Sequence, residues 1–175
     1  MVSIKGITIK NVVDFLGHEQ EPLVQCDVYY QGKKVAFYSQ DSWGGEDRLD
    51  FDYDLPREKR QELENLFEKL AQDYLNERIA KGEKVEFYAE NKEFYKASNL
   101  ILEIVELKDI EKMYKKALKQ NRDNLLAYSE NGWELSVLTW QNKGVFNLDY
   151  VLLTKGIKKE QVRYYITNEK DFEIK

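Results

Sequence analysis

The sequence has few of the residues on which crosslinked, zinc-bound or disordered proteins depend. Its 175 residues include one cysteine, one histidine, two prolines and nine glycines. The lone Cys26 excludes an internal disulfide and favours a reducing compartment. Cys26 and His18 together supply too few ligands for an ordinary structural zinc site. With 42% apolar residues and little proline or glycine, the chain is neither collagen-like nor disordered.

Long hydrophobic runs are also missing. No apolar stretch approaches the ~20 residues that a membrane helix needs. Residues 1–6 show neither the apolar centre of a signal peptide nor the glycine at position 2 that myristoylation requires. We therefore expect a cytoplasmic protein that has no membrane partner and needs no cofactor.

Sequence motifs that would identify an enzyme are absent. The chain has no glycine-rich phosphate-binding fingerprint, no H-E-x-x-H zinc motif and no G-x-S-x-G nucleophile motif. His18 lies in a polar stretch typical of an exposed loop, and Cys26 lies on the apolar side of a predicted strand, where a thiol is usually inert. We therefore predict no catalytic and no metal-binding residue, and favour a non-enzymatic protein.

The hydrophobic pattern predicts an α+β fold in a single domain spanning residues 1–175. Its β-rich part, residues 1–54, contains period-two runs that predict an antiparallel sheet with Gly32 at a hairpin turn. Residues 11–22 are predicted to form a loop. The predicted strands of this part are 3–10, 23–31, 33–40 and 48–54.

The remainder, residues 55–175, is predicted to begin with two amphipathic helices and to end in a β-meander. Pro56 opens the first helix and Gly82 ends it, while the second helix covers 109–121. Asn131-Gly132 is a typical hairpin turn between two short strands. The strands predicted here are 84–89, 100–107 within the ambiguous stretch 90–107, 125–130, 133–140, one near 146–154, 161–167, and 171–174 pairing back.

The negative charge of the protein is concentrated in one short segment. The net charge is −5, and residues 57–175 hold 22 acidic and 22 basic side chains. The whole excess matches segment 41–54, which carries six acidic residues and Arg48. Because the fields of close charges add before salt screens them over ~8–10 Å, this segment is a candidate binding surface.

Residues 48–54 alternate between apolar and acidic side chains. This pattern predicts a strand with Leu49, Phe51 and Tyr53 on its buried face and three carboxylates on its exposed face. Trp43, in the glycine-containing loop before the strand, is the best candidate for an exposed anchor. The predicted acidic partner-binding residues are Asp41, Trp43, Glu46, Asp47, Asp50, Asp52 and Asp54.

Three interpretations of these carboxylates stay open. They could meet a basic protein groove, such as one built for nucleic acid, because charge complementarity guides such encounters. They could bind divalent cations in a metal-dependent phosphodiesterase, although carboxylates on one strand diverge instead of converging on an ion. They could also only protect an edge strand from aggregation.

The predicted helix 109–121 carries a stripe of lysines. Its opposite side is predicted to be apolar, with Ile110, Met113, Tyr114, Ala117 and Leu118. The stripe could contact phosphates or an acidic protein surface, including the acidic segment of a second copy in a homodimer, or it could be an ordinary solvated face. The alternative, basic partner-binding residues are Lys108, Lys112, Lys115, Lys116, Lys119 and Arg122.

Three motifs in residues 1–54 carry a resemblance: Ile4 to Asn11 (IKGITIKN), Gly32 to Phe37 (GKKVAF), and Asp41 with Gly44-Gly45. They resemble small accessory proteins of phages and mobile elements in low-GC Gram-positive bacteria. The resemblance implies a protein that acts in the host cytoplasm by binding host or defence proteins, as anti-CRISPR proteins do. It implies no catalytic residues.

Together these features predict a non-enzymatic phage or mobile-element accessory protein. It would bind a protein or nucleoprotein partner through its acidic surface and inhibit a host defence nuclease. The alternative is an accessory protein that binds nucleic acid through the lysine-rich helix. A metal-dependent phosphodiesterase ranks third.

Overall fold

A computed structural model describes residues 2–83, 85–130, 134–141 and 147–175 of this protein. As predicted, the fold is α+β, with a larger and a smaller sheet. The strands are β1 (Ser3–Ile4), β2 (Ile7–Leu16), β3 (Pro22–Tyr30), β4 (Lys33–Ser39), β5 (Arg48–Phe51), β6 (Asn124–Tyr128), β7 (Ser136–Trp140), β8 (Val162–Ile166) and β9 (Glu173–Ile174). The helices are α1 (Arg57–Ala80), α2 (Glu86–Glu90), α3 (Ala97–Leu118) and α4 (Leu148–Lys155), with short 3-10 turns at Lys92–Phe94, Lys159–Gln161 and Glu169–Phe172.

The larger sheet has the strand order β5-β4-β3-β2-β1-β9 and is antiparallel except where β1 pairs with β9. Two tight hairpins build its centre, at Lys5-Gly6 and Gln31-Gly32, and all four residues have positive φ. Positive φ at both central residues is typical of a type I′ turn, whose backbone twist matches that of the paired strands. The turn at Lys5-Gly6 splits the predicted strand 3–10 into β1 and β2.

Strand β2 is longer than predicted. Residues 11–16 of the predicted loop 11–22 continue β2 as far as Leu16, opposite β3. The pairing register shifts between Lys10 and Val13, and Asn11 has a φ of 51°. Such a bulge breaks the period-two pattern, which explains why this part of the strand was not predicted.

Helix α1 matches the prediction closely, since it follows Pro56 and ends before Gly82, which has a φ of 75°. Helix α3 starts twelve residues before the predicted helix, so the strand predicted at 100–107 is wrong. The apolar residues of this stretch recur at helical spacing and are fully buried: Leu100, Ile101, Ile104 and Leu107. The strand predicted at 84–89 is also wrong, because Val85 is the N-cap of helix α2 and residues 86–89 belong to that helix.

The smaller sheet has the order β7-β6-β8. The predicted hairpin strands pair antiparallel as β6 and β7, while its turn, Asn131-Gly132, lies outside the described residues. Near 146–154 the described residues form helix α4 instead of a strand, capped by Asn147 and ended by the left-handed Gly156. Strand β8 is confirmed, but it joins the far edge of β6 after this helix, so the order differs from that of a meander.

Helices α1 and α3 pack against one face of the larger sheet, and α3 also contacts β6 and β7. One hydrophobic core therefore includes side chains from both sheets, and β9 returns the end of the chain to β1. Among the described helices, none combines the length and the apolar character needed to cross a membrane.

Candidate partner-binding site

The β4–β5 loop uses two of the predicted acidic residues to hold its own shape. Asp41 accepts backbone N–H groups from Trp43 (2.8 Å) and Gly45 (3.2 Å), which lowers the pKa of its carboxyl group. Asp47 accepts the hydroxyl of the buried Tyr38 at 2.6 Å. Burial and this hydrogen bond raise the pKa of Tyr38. We therefore assign Asp41 and Asp47 to folding of the loop instead of to direct partner contact.

Trp43 projects from this loop and is 76% exposed, as predicted. Its ring stacks on His18 of the β2–β3 loop, with centroids 4.1 Å apart. The backbone N–H of His18 donates to the backbone carbonyl of Ser42 at 2.9 Å, and this bond holds the two loops together. The stacking gives the exposed tryptophan a defined orientation at the end of the sheet, beside the acidic segment.

Strand β5 is an edge strand of the larger sheet. The strand ends at Phe51, so Asp50 is the only one of the three predicted strand carboxylates that lies on it. Asp52 and Asp54 lie in the following turn, where the Asp54 N–H donates to the Asp52 carboxylate at 3.1 Å. The predicted alternation is therefore wrong beyond Phe51, because turn hydrogen bonds of this kind compete with strand pairing.

Tyr53 shows the same departure from the predicted pattern. The sequence placed it on the buried face, whereas it is 77% exposed. The guanidinium of Arg60 lies over its ring, 5.4 Å from the centroid. Leu49 and Phe51 do face inward, with Phe51 packed edge-on against Phe67 of α1 at 5.2 Å.

Four carboxylates of the segment stay exposed and together form a surface that we name the acidic edge: Glu46, Asp50, Asp52 and Asp54. Within the described residues, none of the four forms an ion pair with a lysine or arginine. Like charges on one surface repel one another. The acidic edge therefore has a free charge that a cationic surface could neutralise.

A groove with a volume of about 780 Å³ lies between β5 and α1, and Glu46 is the one member of the acidic edge among its described lining residues. One wall consists of the β4–β5 loop and β5, including Glu46, Asp47 and Leu49. The opposite wall is one face of α1, where Glu64 and Glu68 recur at helical spacing. We name this the edge groove. Its α1 wall adds carboxylates that sequence analysis missed, because only the packing of α1 beside β5 brings them next to the acidic segment.

The far end of the edge groove is formed by the residues that lead into α3. Lys96 is the single cation among the described lining residues. Glu68 accepts the N–H of Ala97 at 3.3 Å from both of its oxygens, and so caps the start of α3. Phe94 is 57% exposed, and its ring lies 6.0 Å from that of Phe87, which is also half exposed. The groove thus combines carboxylates with an exposed aromatic end.

The alternative site, the lysine stripe, is partly neutralised. Lys108 donates to a backbone carbonyl of β2 at 3.1 Å. Lys112 and Lys115 pair with Asp109 and Glu111 of the same helix at 2.7 and 2.8 Å. These three of the six predicted cations therefore already have partners within the protein.

The rest of the stripe lies at or beyond the end of the helix. Lys116 is the last exposed lysine within α3, Lys119 is its C-cap and Arg122 lies beyond it. Arg122 donates to the Thr139 hydroxyl at 3.3 Å. The side predicted to be apolar is only partly buried, since Met113 is half exposed. The stripe is therefore a weaker charge feature than its sequence suggests.

A second group of charges lies in the core, which sequence analysis did not single out. Arg78 of α1 is almost fully buried and donates to Glu83 at 2.7 Å and to Glu103 of α3 at 2.5 Å. Tyr95 also donates to Glu103, at 2.9 Å, and Arg163 of β8 lies 3.5 Å from the other Glu103 oxygen. We name these five residues the buried network. It links α1, α3 and the smaller sheet, and its only sequence signal is an acidic residue inside an apolar helical face.

The described carboxylates do not converge on a metal ion. Among the residues that the structure describes, no three His, Cys, Asp or Glu side chains lie close enough to hold one together. Cys26 is buried in the core, and burial raises the pKa of its thiol to about 12. Comparisons with protein-family models, with curated proteins and with solved structures find no match.

Proposed function

We propose that this protein is a non-enzymatic accessory protein of a phage or mobile element that binds a protein or nucleoprotein through its acidic edge. The partner is a host defence nuclease, which the protein inhibits. The observation that carries the proposal is the exposed charge of the acidic edge, whose four carboxylates form no ion pair with a lysine or arginine in the described residues.

The mechanism is electrostatic and steric. A nuclease holds nucleic acid in a groove lined with lysine and arginine, and these side chains contact the phosphates. Carboxylates spaced along a strand edge and a turn can meet such a groove in place of phosphates. Complementary charge also speeds the encounter, so that the inhibitor competes with nucleic acid for the free enzyme.

Trp43 supplies the apolar part of the contact. Tryptophan at the centre of an interface often accounts for a large part of the binding energy. Because His18 holds the ring in one orientation, the ordering of this side chain on binding costs little entropy. The acidic edge then determines which partners approach, and Trp43 strengthens the contact once they have done so.

An order-of-addition cleavage assay tests this function. RNA-guided nucleases from Gram-positive hosts are mixed with the protein either before or after they bind target DNA. We expect inhibition only when the protein is added first. The charge-reversed variant Asp50→Lys, Asp52→Lys and Asp54→Lys should not inhibit. Full inhibition by this folded variant would contradict the proposal.

A matched control separates the position of the charge from its amount. The variant Asp14→Lys, Asp149→Lys and Glu160→Lys changes the net charge equally at exposed sites outside the acidic edge. It should inhibit like the wild type. Equal loss of inhibition in both variants would mean that inhibition depends only on the net charge of the protein. It would therefore contradict a specific role of the acidic edge.

The lysine stripe gives the competing outcome. Direct binding of naked double-stranded DNA, with an affinity that falls steeply with salt and is lost on Lys116→Glu and Lys119→Glu, would favour a nucleic-acid-binding protein. Wild-type inhibition together with no affinity for DNA favours the acidic edge.

A further inference from the structure

The outer side of β5 is an open hydrogen-bonding edge. The Asp52 N–H donates to the Val35 carbonyl of β4 at 3.0 Å, and Asp50 is the β5 residue opposite Phe37. Adjacent residues of an antiparallel strand direct their backbone groups to opposite sides. The N–H and C=O groups of Asp50 therefore point toward β4, while those of Leu49 and Phe51 point away from it. No other strand or side chain of the described protein hydrogen-bonds to those two backbones.

This open edge forms part of the edge groove. Leu49 and Phe51 both line it, opposite the α1 face that carries Glu64. Leu49 is only partly buried, whereas the Phe51 side chain packs into the core, so Leu49 is the more exposed of the two residues. An edge strand with unpaired backbone groups is a template for another extended chain. The groove beside it gives such a chain space along the strand.

The charges around the edge select the chemistry of that chain. Side chains of an added strand alternate between the two faces of the sheet. On the inner face they would meet Glu46 and Glu64, and on the outer face they would meet Asp50. A chain with lysine or arginine directed to either face is therefore complementary to this edge.

A second copy of this protein fits the edge poorly. Pairing β5 with another β5 would bring two acidic edges together, and like charges opposite each other in a sheet are destabilising. The same argument disfavours nucleic acid, whose phosphates would be repelled.

We propose that an extended, lysine- or arginine-rich segment of the partner binds by adding a strand to β5 within the edge groove. This inference rests on the proposed function, because it names the kind of partner segment that the acidic edge holds. Backbone hydrogen bonds at Leu49 and Phe51 would align the segment, and the carboxylates on both faces would select its basic side chains.

A peptide pair tests the backbone contribution on the wild-type protein. The probe is a short fluorescent peptide of alternating lysine and threonine, compared by anisotropy with the same peptide methylated at every backbone amide. Both have the same charge, but the second cannot donate backbone hydrogen bonds. Since two hydrogen bonds of ordinary strength are involved, we expect the methylated peptide to bind ~10-fold more weakly. Equal affinities, or no binding of the unmethylated peptide, would overturn strand addition.

A variant pair tests the same contact from the protein side. Leu49→Pro removes an N–H that faces away from β4, and an edge strand tolerates proline there. Leu49→Ala is the matched control, because it removes the side chain and keeps the N–H. We expect ~3-fold weaker peptide binding for Leu49→Pro than for Leu49→Ala, because one hydrogen bond is lost instead of two, and slower exchange of the Leu49 amide proton in the wild-type complex. An unprotected Leu49 amide in that complex would overturn the inference.

The outcomes separate this inference from the proposed function. If methylation has no effect while charge reversal of Asp50, Asp52 and Asp54 abolishes inhibition, strand addition fails and the acidic edge remains the binding surface. If charge reversal leaves both peptide affinity and inhibition unchanged, the proposed function fails.

Discussion

The protein places carboxylates in two contrasting environments. In the buried network, Glu103 meets Arg78 of α1, Arg163 of β8 and Tyr95 of the segment that precedes α3. In the acidic edge, Asp50, Asp52 and Asp54 face solvent, and among the described residues they form no ion pair. A buried charge without partners strongly destabilises a fold, whereas an exposed one costs little. The comparison indicates that the first group serves the fold and leaves the second group free to serve a partner.

The largest expected difference between the two regions is in stability. Glu103→Ala leaves the buried Arg78 guanidinium without its main partner, and removal of one member of a buried pair typically costs about 3–5 kcal/mol. Asp50→Ala should change the free energy of unfolding by less than about 0.5 kcal/mol. Urea denaturation of both variants measures the difference. A Glu103→Ala protein as stable as the Asp50→Ala protein would remove the contrast.

Tyr38 sharpens the comparison within the acidic segment itself. Tyr38→Phe removes the hydroxyl that Asp47 accepts, while the ring keeps its buried position. Hydrogen bonds to charged groups contribute about 1.5–3 kcal/mol, so we expect a loss of stability in that range. Urea denaturation again provides the measurement, with Asp50→Asn as the control, which should have no effect. If the urea midpoint of Tyr38→Phe is unchanged, the hydrogen bond to Asp47 does not stabilise the loop, and Asp47 is again a candidate for partner contact.

Glu106, beside the buried network, makes stability depend on pH. Burial, followed by the nearby charge of Glu103, raises its pKa to about 7, although Arg163 lies 3.6 Å away and Arg78 acts in the opposite direction. Asp109 adds a further negative charge, which also raises the pKa, while the nearby Tyr164 hydroxyl lowers it. A raised folded-state pKa means that the folded protein binds the proton more tightly than the unfolded chain.

The contribution of Glu106 is therefore complete below about pH 4.5 and is lost as the pH rises through 7. Because its side chain is 32% exposed, solvent screening limits the loss to about 1–2 kcal/mol. Urea denaturation at pH 5 and pH 8 should show this loss in the wild type, and Glu106→Gln should reduce it. The same loss in Glu106→Gln would assign the pH dependence to other groups.

The smallest expected effect comes from neutralising the acidic edge. Replacing Asp50, Asp52 and Asp54 by asparagine keeps the side-chain acceptors, including the one that receives the Asp54 N–H, and removes only repulsion. We expect a gain in stability of up to about 0.5 kcal/mol. Thermal unfolding at low salt measures it, and high salt should cancel it. A clear loss of stability would assign these carboxylates a role in folding.

Local patterns were sufficient to predict part of this structure. Gly32 between two period-two runs predicted the β3–β4 hairpin, and the spacing of apolar residues after Pro56 predicted helix α1. Trp43 was correctly predicted to be exposed, because its glycine-flanked loop leaves no apolar strand or helix to bury it.

The predictions that failed concern residues whose structure depends on contacts beyond the local pattern. Residues 100–107 form a short, mostly apolar run that fits a strand or a helix, and their helical spacing becomes decisive only with the buried face that α3 directs to the core shared by both sheets. Asp52 and Tyr53 continue an alternating pattern, but the turn into α1 ends the strand before them. The Glu64 wall of the edge groove and the pairing of Arg78 with Glu103 depend on residues far apart in the chain, and no local spacing reveals them.

The most direct test of the central claim combines binding and stability on the same three proteins. These are the wild type, the variant reversed at Asp50, Asp52 and Asp54, and the variant reversed at Asp14, Asp149 and Glu160. Affinity for the lysine–threonine peptide is measured across salt concentrations, together with urea denaturation. The account predicts that all three unfold at similar urea concentrations and that only reversal of the acidic edge abolishes binding. Unchanged binding by that variant, or loss that follows only from its unfolding, would contradict the account.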